Sequence, residues 1–316
     1  AKISSTNITL ANEEGYACKN ADVISLNTDG RLGGSTLSKI YNTIDSILQS
    51  QTRKENSIYS KQQVTDQFYQ KLNLIFGSKG TQTSFVHNLG RFTSSMREIT
   101  SNPDLTKKTQ AVGDGIAYAN QINNIARTIN DLRSDTDQML GKAVEQINTI
   151  VTRITDLNQK ISSLSASTGS SPVASGHVDV TTFENQRDLL VQQLSGLVDI
   201  SIFKTDENRL NISLAGSGRT LVQGVYNYQL DYTPSTAVVP GQPLSSIMYL
   251  GVDITAEIKE GQVAGLINMR DTVLVDAQKE FDELTRTIRD TVNALHNQGA
   301  SLRGSSTLTG TTSVPG

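Results

Sequence analysis

The feature that most constrains this chain is a periodic run of apolar residues. It passes through Ile122, Ile125, Ile129, Leu132, Thr136, Met139, Ala143, Ile147, Ile150, Ile154, Leu157, Ile161 and Leu164. The steps alternate three and four, an average repeat of 3.5 residues, which holds one stripe of an α-helix against a partner helix. Gly141 is the one glycine in this run, and there is no proline. At about 1.5 Å per residue the helix would extend roughly 65 Å. The spacing therefore predicts a rod with a narrow apolar seam, which other long helices must cover.

The chain has 316 residues, enough for two domains and a sizeable core. A formal net charge of −3 and a pI near 5.7 provide no electrostatic case for nucleic acid or an anionic membrane surface. Aromatic residues make up 5% and tryptophan is absent, which suits narrow helical packing better than a ring-lined ligand pocket. With Cys18 alone, no internal disulfide can form. No apolar run reaches the length of a membrane span, and residues 1–20 lack the pattern of a cleaved secretion signal.

Taken in order, residues 1–34 read as irregular, with turn signals at Asn27-Thr28-Asp29-Gly30 and Gly33-Gly34 and a short extended piece at Val23, Ile24 and Leu26. From an N-cap at Ser35, helical spacing predicts one long helix over residues 35–76, stopped by Gly77 and Gly80. A shorter helix is expected at about 82–100, then the rod, with Pro103 in the turn before it. Residues 165–178, rich in Ser and Gly, read as a loop at the tip of the rod. A short helix capped by Thr181 or Thr182 follows, ending near Leu197. Alternation of period two then predicts strands through Val198–Ile202, Leu210–Leu214, Tyr226–Leu230 and Ile247–Leu250. A last helix is expected over Val263–Asn297, and the Ser/Thr/Gly-rich tail is expected to be loose. The fold class is α+β and multidomain: an elongated bundle of long helices (35–164 and 261–299) with a β-rich insert (165–260), preceded by residues 1–34 and followed by a tail (300–316).

Candidate chemistry is thin. His87, His177 and His296 fall in different elements without a second ligand at metal-binding spacing. Cys18 has no nearby base. Gly216-Ser217-Gly218-Arg219-Thr220 and Gly113-Asp114-Gly115 lack the lysine and the spacing of phosphate loops, so they read as turns. Glu280 and Glu283 read as a solvated helix face rather than an acid/base couple. The expectation is a non-enzyme with no cofactor and no metal.

Three segments resemble the hook-associated protein 1 family of bacterial flagella, the hook–filament junction proteins. Asn7-Ile8, Ala11-Asn12 and Gly15-Tyr16 match, without gaps, the N-I-A-N-A-N-T-P-G-Y-S-R-Q signature of axial flagellar proteins; Thr9-Leu10, Glu13-Glu14 and Ala17-Cys18-Lys19 depart from it. Phe183 to Leu190, with Asn185, Arg187 and Asp188, is similar to the N-x-R-D-x-L segment that precedes the family's β domain. Gly261-Gln262-Val263-Ala264-Gly265-Leu266, then Arg270-Asp271, then Asn293 and His296 to Gly299, are similar to G-x-[LI]-x-G-L…R-D…[VF]-N-x-x-H-x-x-G.

The resemblance implies a flagellin-like shaft domain and an extracellular structural component of the flagellum, truncated at both ends. Such a subunit would pass through type III export and assemble as a ring joining hook to filament. Its implied partners are other copies of itself, the hook protein, the second junction protein and an export chaperone, whose binding segment would be missing. Neither nucleic-acid binding nor membrane insertion is implied. The positions that carry the resemblance are Asn7, Gly15, Tyr16, Arg187, Gly261, Gly265, Arg270, Asn293 and His296, with Gly15 and Gly261 expected to serve backbone geometry and Leu266 and Leu295 packing. The alternatives are another axial subunit, flagellin-like or the second junction protein, and a coiled-coil secreted effector or adhesin.

Overall fold

A computed structural model describes residues 2–9, 11, 18–28, 31–42, 46–77, 84–101, 104–168 and 180–297. Helix α1 spans Lys2–Thr9 and is followed by an antiparallel hairpin of β1 (Lys19–Thr28) and β2 (Arg31–Asn42). Helices α2 (Ser46–Phe76), α3 (Phe85–Ser101), α4 (Leu105–Thr168) and α5 (Thr181–Leu197) come next. Strands β3 (Ile200–Lys204), β4 (Leu210–Leu214), β5 (Thr220–Gln223) and β6 (Tyr226–Asn227) form one antiparallel sheet in that order. A second holds β7 (Leu230–Asp231), β8 (Met248–Tyr249) and β9 (Val252–Asp253). The chain ends its described part in α6 (Gln262–Asn268), a π-helical segment (Met269–Val273) and α7 (Leu274–Asn297).

Long helices with an antiparallel β region are the class the periodicities predict, but three details differ. First, the helix expected from residue 35 begins at Ser46, and residues 31–42 are a strand. Asp29-Gly30 stands between two strands in register, with Thr28 opposite Arg31 and Val23 opposite Leu37. Asp-Gly between two such runs is a strong hairpin signal, and strand pairing satisfied the backbone where helical spacing alone was ambiguous. Residues 2–9, expected to be irregular, are helical.

Second, the seam of α4 runs at 3.6 residues rather than 3.5. The buried positions run through Ile125, Ile129, Leu132, Thr136, Leu140, Ala143, Ile147, Val151, Ile154, Asn158 and Ile161, ten steps over 36 residues. Met139 and Ile150 slide to the margin of the seam, while Leu140 and Val151 are fully buried. An α-helix drifts by about 20° per heptad against a strict 3.5 repeat, which accounts for the slip. Third, the last helix is interrupted by the π segment, which apolar spacing does not foreshadow. The start of α5 is as expected, although the N-cap position is Val180 and makes no side-chain cap bond. Pro103, Gly80, His177, most of the loop after α4 and the expected tail lie outside the described residues.

The chain divides into two compact units whose limits differ from the division read from the sequence. One unit comprises residues 1–66, 137–235 and 244–268. Its buried apolar residues come from α4 (Leu140, Ile147, Val151, Ile154), α5 (Val191, Leu194), the strands (Leu210, Ile212, Leu221, Val222) and α6 (Val263, Leu266). The other comprises residues 67–136, 236–243 and 269–316. There Phe85, Tyr118, Ile125, Ile129 and Phe281 form the core, with Phe76, Phe92 and Ile288 packed on it. Edge-on contacts of Phe281 with Phe76 and Phe85, at 5.7 and 5.6 Å between centroids, tie these three rings together in that core. The buried Tyr118 hydroxyl has no hydrogen-bond partner there, and burial pushes its pKa up to about 12.

Two glycines show what the backbone demands. Gly261 has φ +92°, and a Cβ there would come within 2.5 Å of the Leu197 carbonyl oxygen and 2.6 Å of the Val198 Cα. Gly113 lies inside α4, where an added Cβ would meet no atom within 4 Å. Gly261→Ala is therefore expected to destabilise its unit by at least about 1–3 kcal/mol. Gly113→Ala is expected to stabilise by about 0.5–1 kcal/mol. Urea denaturation of the two variants checks both, and equal shifts would contradict the backbone argument.

Candidate functional site

Among the described residues of the first unit, a densely bonded polar site centres on Asn158 of α4, which is fully buried. Its amide nitrogen donates to the carbonyls of Leu210 at 2.9 Å and Gly224 at 2.8 Å. Its amide oxygen accepts from the Leu210 N–H at 3.1 Å and from the Arg187 guanidinium at 3.0 Å. One side chain thus satisfies both backbone groups of a strand residue that faces a helix. Arg187, from α5, also donates to the carbonyl of Asn208 at 2.7 Å, and Asn208 turns the β3–β4 connection with φ +60°. Burial works against the Arg187 charge, while Asp188 and Glu184 support it. Burial also raises the Asp188 carboxyl above the ordinary aspartate value; Glu184 adds to the rise, and Arg187, Lys204 and Arg53 oppose it.

The same device recurs ten residues earlier on α4. Asn148 donates to the carbonyl of Leu230 and accepts from its N–H, both at 2.8 Å. About three helical turns further back are the carboxylate oxygens of Asp137, which is 1% exposed. They accept from the Tyr232 hydroxyl at 2.5 Å and the Ser235 N–H at 2.7 Å. An open groove of about 770 Å³ runs beside these anchors, lined by Lys142, Glu145, Arg153, Tyr232 and Pro234 among others.

In the second unit the comparable centre is Arg133 of α4. Its guanidinium donates to the carbonyls of Arg270 at 3.0 Å, Val239 at 3.3 Å and Gln242 at 2.8 Å. Arg270 lies in the π segment, 2% exposed, and makes two bonds of 2.8 Å to the carboxylate of Asp271.

Among the described residues, those singled out from the sequence are divided between the two units. Gly261 and Gly265 bring α6 against α2: the Gly261 N–H donates to the Ser57 carbonyl, and a Cβ on Gly265 would lie 3.1 Å from the Lys61 carbonyl oxygen. Arg187 and Arg270 are buried in separate units. Asn293 is half-buried and His296 exposed near the end of α7, and Asn7 is half-buried on α1. Gly15 and Tyr16 lie outside the described residues. Gly218, with φ +71°, turns β4 into β5, and Arg219 pairs with both oxygens of Glu257 at 2.7 and 2.9 Å. Glu283 pairs with Arg286 on the α7 surface. Among the described residues no group of three His, Cys, Asp or Glu is placed to hold a metal ion.

Asn158, Asn148, Asp137 and Arg133 are not among the residues that motif and spacing single out, because polar positions beside the seam read as a solvated or contact face. Asn158 carries a usable signal all the same, since it falls on the 3.6-residue core period between Ile154 and Ile161.

The arrangement is an internal scaffold of helix-to-strand anchors, and the fold it holds together is shared by known proteins. The family model for the flagellar hook-associated protein FlgK helical domain matches residues 69–310. The chain belongs to the FlgK family. It is 25% identical over 308 residues to flagellar hook-associated protein 1 of Salmonella typhimurium, covering 93% of this chain and 53% of that protein. It is 26% identical over 317 residues to the Escherichia coli protein of the same description, covering 95% and 55%. The chain thus spans about half the length of these FlgK relatives. The structure of the flagellar hook junction protein FlgK from Burkholderia pseudomallei matches with a TM-score of 0.63 and 20% identity, covering 82% of this chain and 45% of that one, which bears out the fold.

Two outcomes follow from the Asn158 cluster in this FlgK-family chain. Asn158→Ala removes the partner of three backbone groups, the Leu210 N–H and the Leu210 and Gly224 carbonyls, and the Arg187 contact, so it is expected to cost at least about 3 kcal/mol. Asn148→Ala, at a half-buried position that water reaches, is expected to cost about 1 kcal/mol. Chemical denaturation gives both values, and similar losses would refute the distinction. The second outcome concerns pH. With its folded pKa raised, Asp188 binds more proton in the folded than in the unfolded chain just above about pH 4. Its contribution to stability therefore falls as pH rises through that window. Subtracting the urea midpoints of Asp188→Asn from those of the parent between about pH 4 and 7 should give a difference that declines with pH.

Proposed function

We propose that this chain is part of a non-enzymatic subunit of the bacterial flagellum that joins hook to filament. The observation that carries this reading is the FlgK-family match over residues 69–310. Buried Arg187 and Arg270 and close-packed Gly261 and Gly265, at positions named from the family resemblance, support it. On this reading the subunit is exported by the type III route and assembles outside the cell as a ring. Its neighbours are further copies, the hook protein and the second junction protein, and a chaperone escorts it before export. The long helices form the shaft, and the β-rich insert of residues 165–260 is the part turned outward. Arg187, Gly261, Gly265 and Arg270 hold the subunit's interior in shape rather than touching a substrate.

Deleting the gene tests the reading. The expected result is cells with complete hooks, no filaments and unpolymerised filament subunit in the medium, with filaments restored by a plasmid copy. Normal filaments and unchanged motility in the deletion strain would overturn it.

A further inference from the structure

The four-stranded sheet of β3 to β6 buries one of its faces. Leu210, Ile212 and Leu214 of β4 and Val222 of β5 are buried, on the side where Asn158 of α4 bonds to Leu210. Successive residues of a strand point to opposite faces, and residues paired across strands share one. The other face therefore carries a row that crosses all four strands. Phe203 stands opposite Asn211, and Gln223 stands opposite Tyr226. One residue past the Ile212–Val222 pair, Asn211 comes opposite Gln223, and its amide oxygen accepts from the Gly224 N–H at 2.7 Å. A second row beside it holds Ser201, Ser213 and Thr220.

Phe203 is 68% exposed and Tyr226 is 70% exposed. Among the described residues Phe203 is the one exposed phenylalanine, and Tyr226 is the most exposed tyrosine. Rings on a solvated sheet face commonly pack against a cross-strand neighbour. Here each ring stands opposite an amide instead, and the two lie about 14 Å apart across the sheet. The Asn211 amide nitrogen and the hydroxyls of Ser213 and Thr220 have no hydrogen-bond partner among the described residues, although all three residues are half-buried. Neither row contains a charged residue. Lys204, next to Phe203, belongs to the inner face, where its charge bears on Asp188.

These features select a ligand class. Nucleic acid and anionic lipid headgroups call for basic side chains, which the two rows lack. An apolar protein partner calls for a continuous patch, which the amides between the rings interrupt. A pyranose sugar has an apolar C–H face that lies flat on an aromatic ring. Its rim of hydroxyls both donates and accepts, as the amides and hydroxyls of the two rows do.

We infer that this sheet face binds an extended, uncharged oligosaccharide of β-1,4-linked pyranoses. One sugar stacks on Phe203 and another on Tyr226, and Asn211 and Gln223 bond to the hydroxyls between them. The β-1,4 linkage holds the sugars in a flat ribbon that reaches both rings from one side. An α-1,4-linked chain coils away from one ring while resting on the other. The inference adds a second property to the β region and stands independently of the junction reading.

Saturation-transfer NMR on the 316-residue chain tests it, with cellohexaose, chitohexaose and maltohexaose as probes. The expected result is transfer to cellohexaose, chitohexaose or both, strongest at the ring C–H protons. Phe203→Thr and Tyr226→Thr remove the rings while keeping strand propensity. Each is expected to weaken binding at least about fivefold, whereas Tyr226→Phe leaves it within about twofold. Absence of transfer to both β-linked hexamers overturns the inference. So does unchanged binding by the variant lacking both rings, and so does binding of maltohexaose as tight as that of the β-linked hexamers.

Discussion

A helix gives nothing to a strand laid against it, because its own N–H and C=O groups are spent internally. The strands that pack on α4 must still satisfy the backbone groups they turn toward it. Asn158 and Asn148 solve this with a primary amide, the one side-chain group that offers donor and acceptor side by side as a peptide does. Each pairs with both backbone groups of a single residue, Leu210 in one case and Leu230 in the other. The ten-residue separation corresponds to about 15 Å along the helix and roughly 80° around it. The two sheets therefore attach to α4 at different heights and on different sides. Slipping either strand by one residue would break two bonds at once, so these contacts fix register as well as adding stability.

Charge inside the protein is handled in the same way. Arg133 ends on three carbonyl oxygens, one of them Arg270's own, and Arg270 turns its guanidinium to the adjacent Asp271. Arg187 joins Asn158 to the turn at Asn208. Buried guanidinium groups carry a heavy desolvation cost, which strong, directed acceptors offset in part. That cost is a reason for each arginine to sit where several backbone oxygens would otherwise lack donors. The π segment at Met269–Val273 belongs to this scheme, since it places the carbonyl of Arg270 within reach of Arg133.

Periodicity makes the long helices legible because each buries a continuous stripe, and a stripe is visible without knowing its partner. The limits of that method are visible as well. A 3.5-residue template selects Met139 and Ile150, where a 3.6-residue repeat buries Leu140 and Val151. The β1–β2 hairpin is hidden because Leu37, Ile40 and Tyr41 fit a helical repeat as well as a strand paired to residues 19–28. Of the site, Arg187, Gly261, Gly265 and Arg270 are reached through motif resemblance. Their roles emerge only once the fold brings distant segments together: the glycines let backbones approach, Arg187 donates to Asn158 and the Asn208 carbonyl, and the Arg270 carbonyl accepts from Arg133. Asn148 and Asp137 look like solvated helix residues in the sequence. What distinguishes them is a bonded segment about eighty residues away for Asn148 and more than ninety for Asp137.

The anchors also bear on how force would pass through such a subunit. On the proposed reading the protein links two polymers and must hold its shape under load. A bidentate amide pair resists shear along the strand because both bonds must stretch together, whereas a purely apolar contact can slide past its neighbour at little cost. The apolar seam of α4 contributes about 1.5–3 kcal/mol for each large side chain buried. It does not by itself choose among neighbouring registers. The asparagine, aspartate and arginine anchors make that choice, so the same helix can serve as both the core of the fold and the rail to which the strands are fastened.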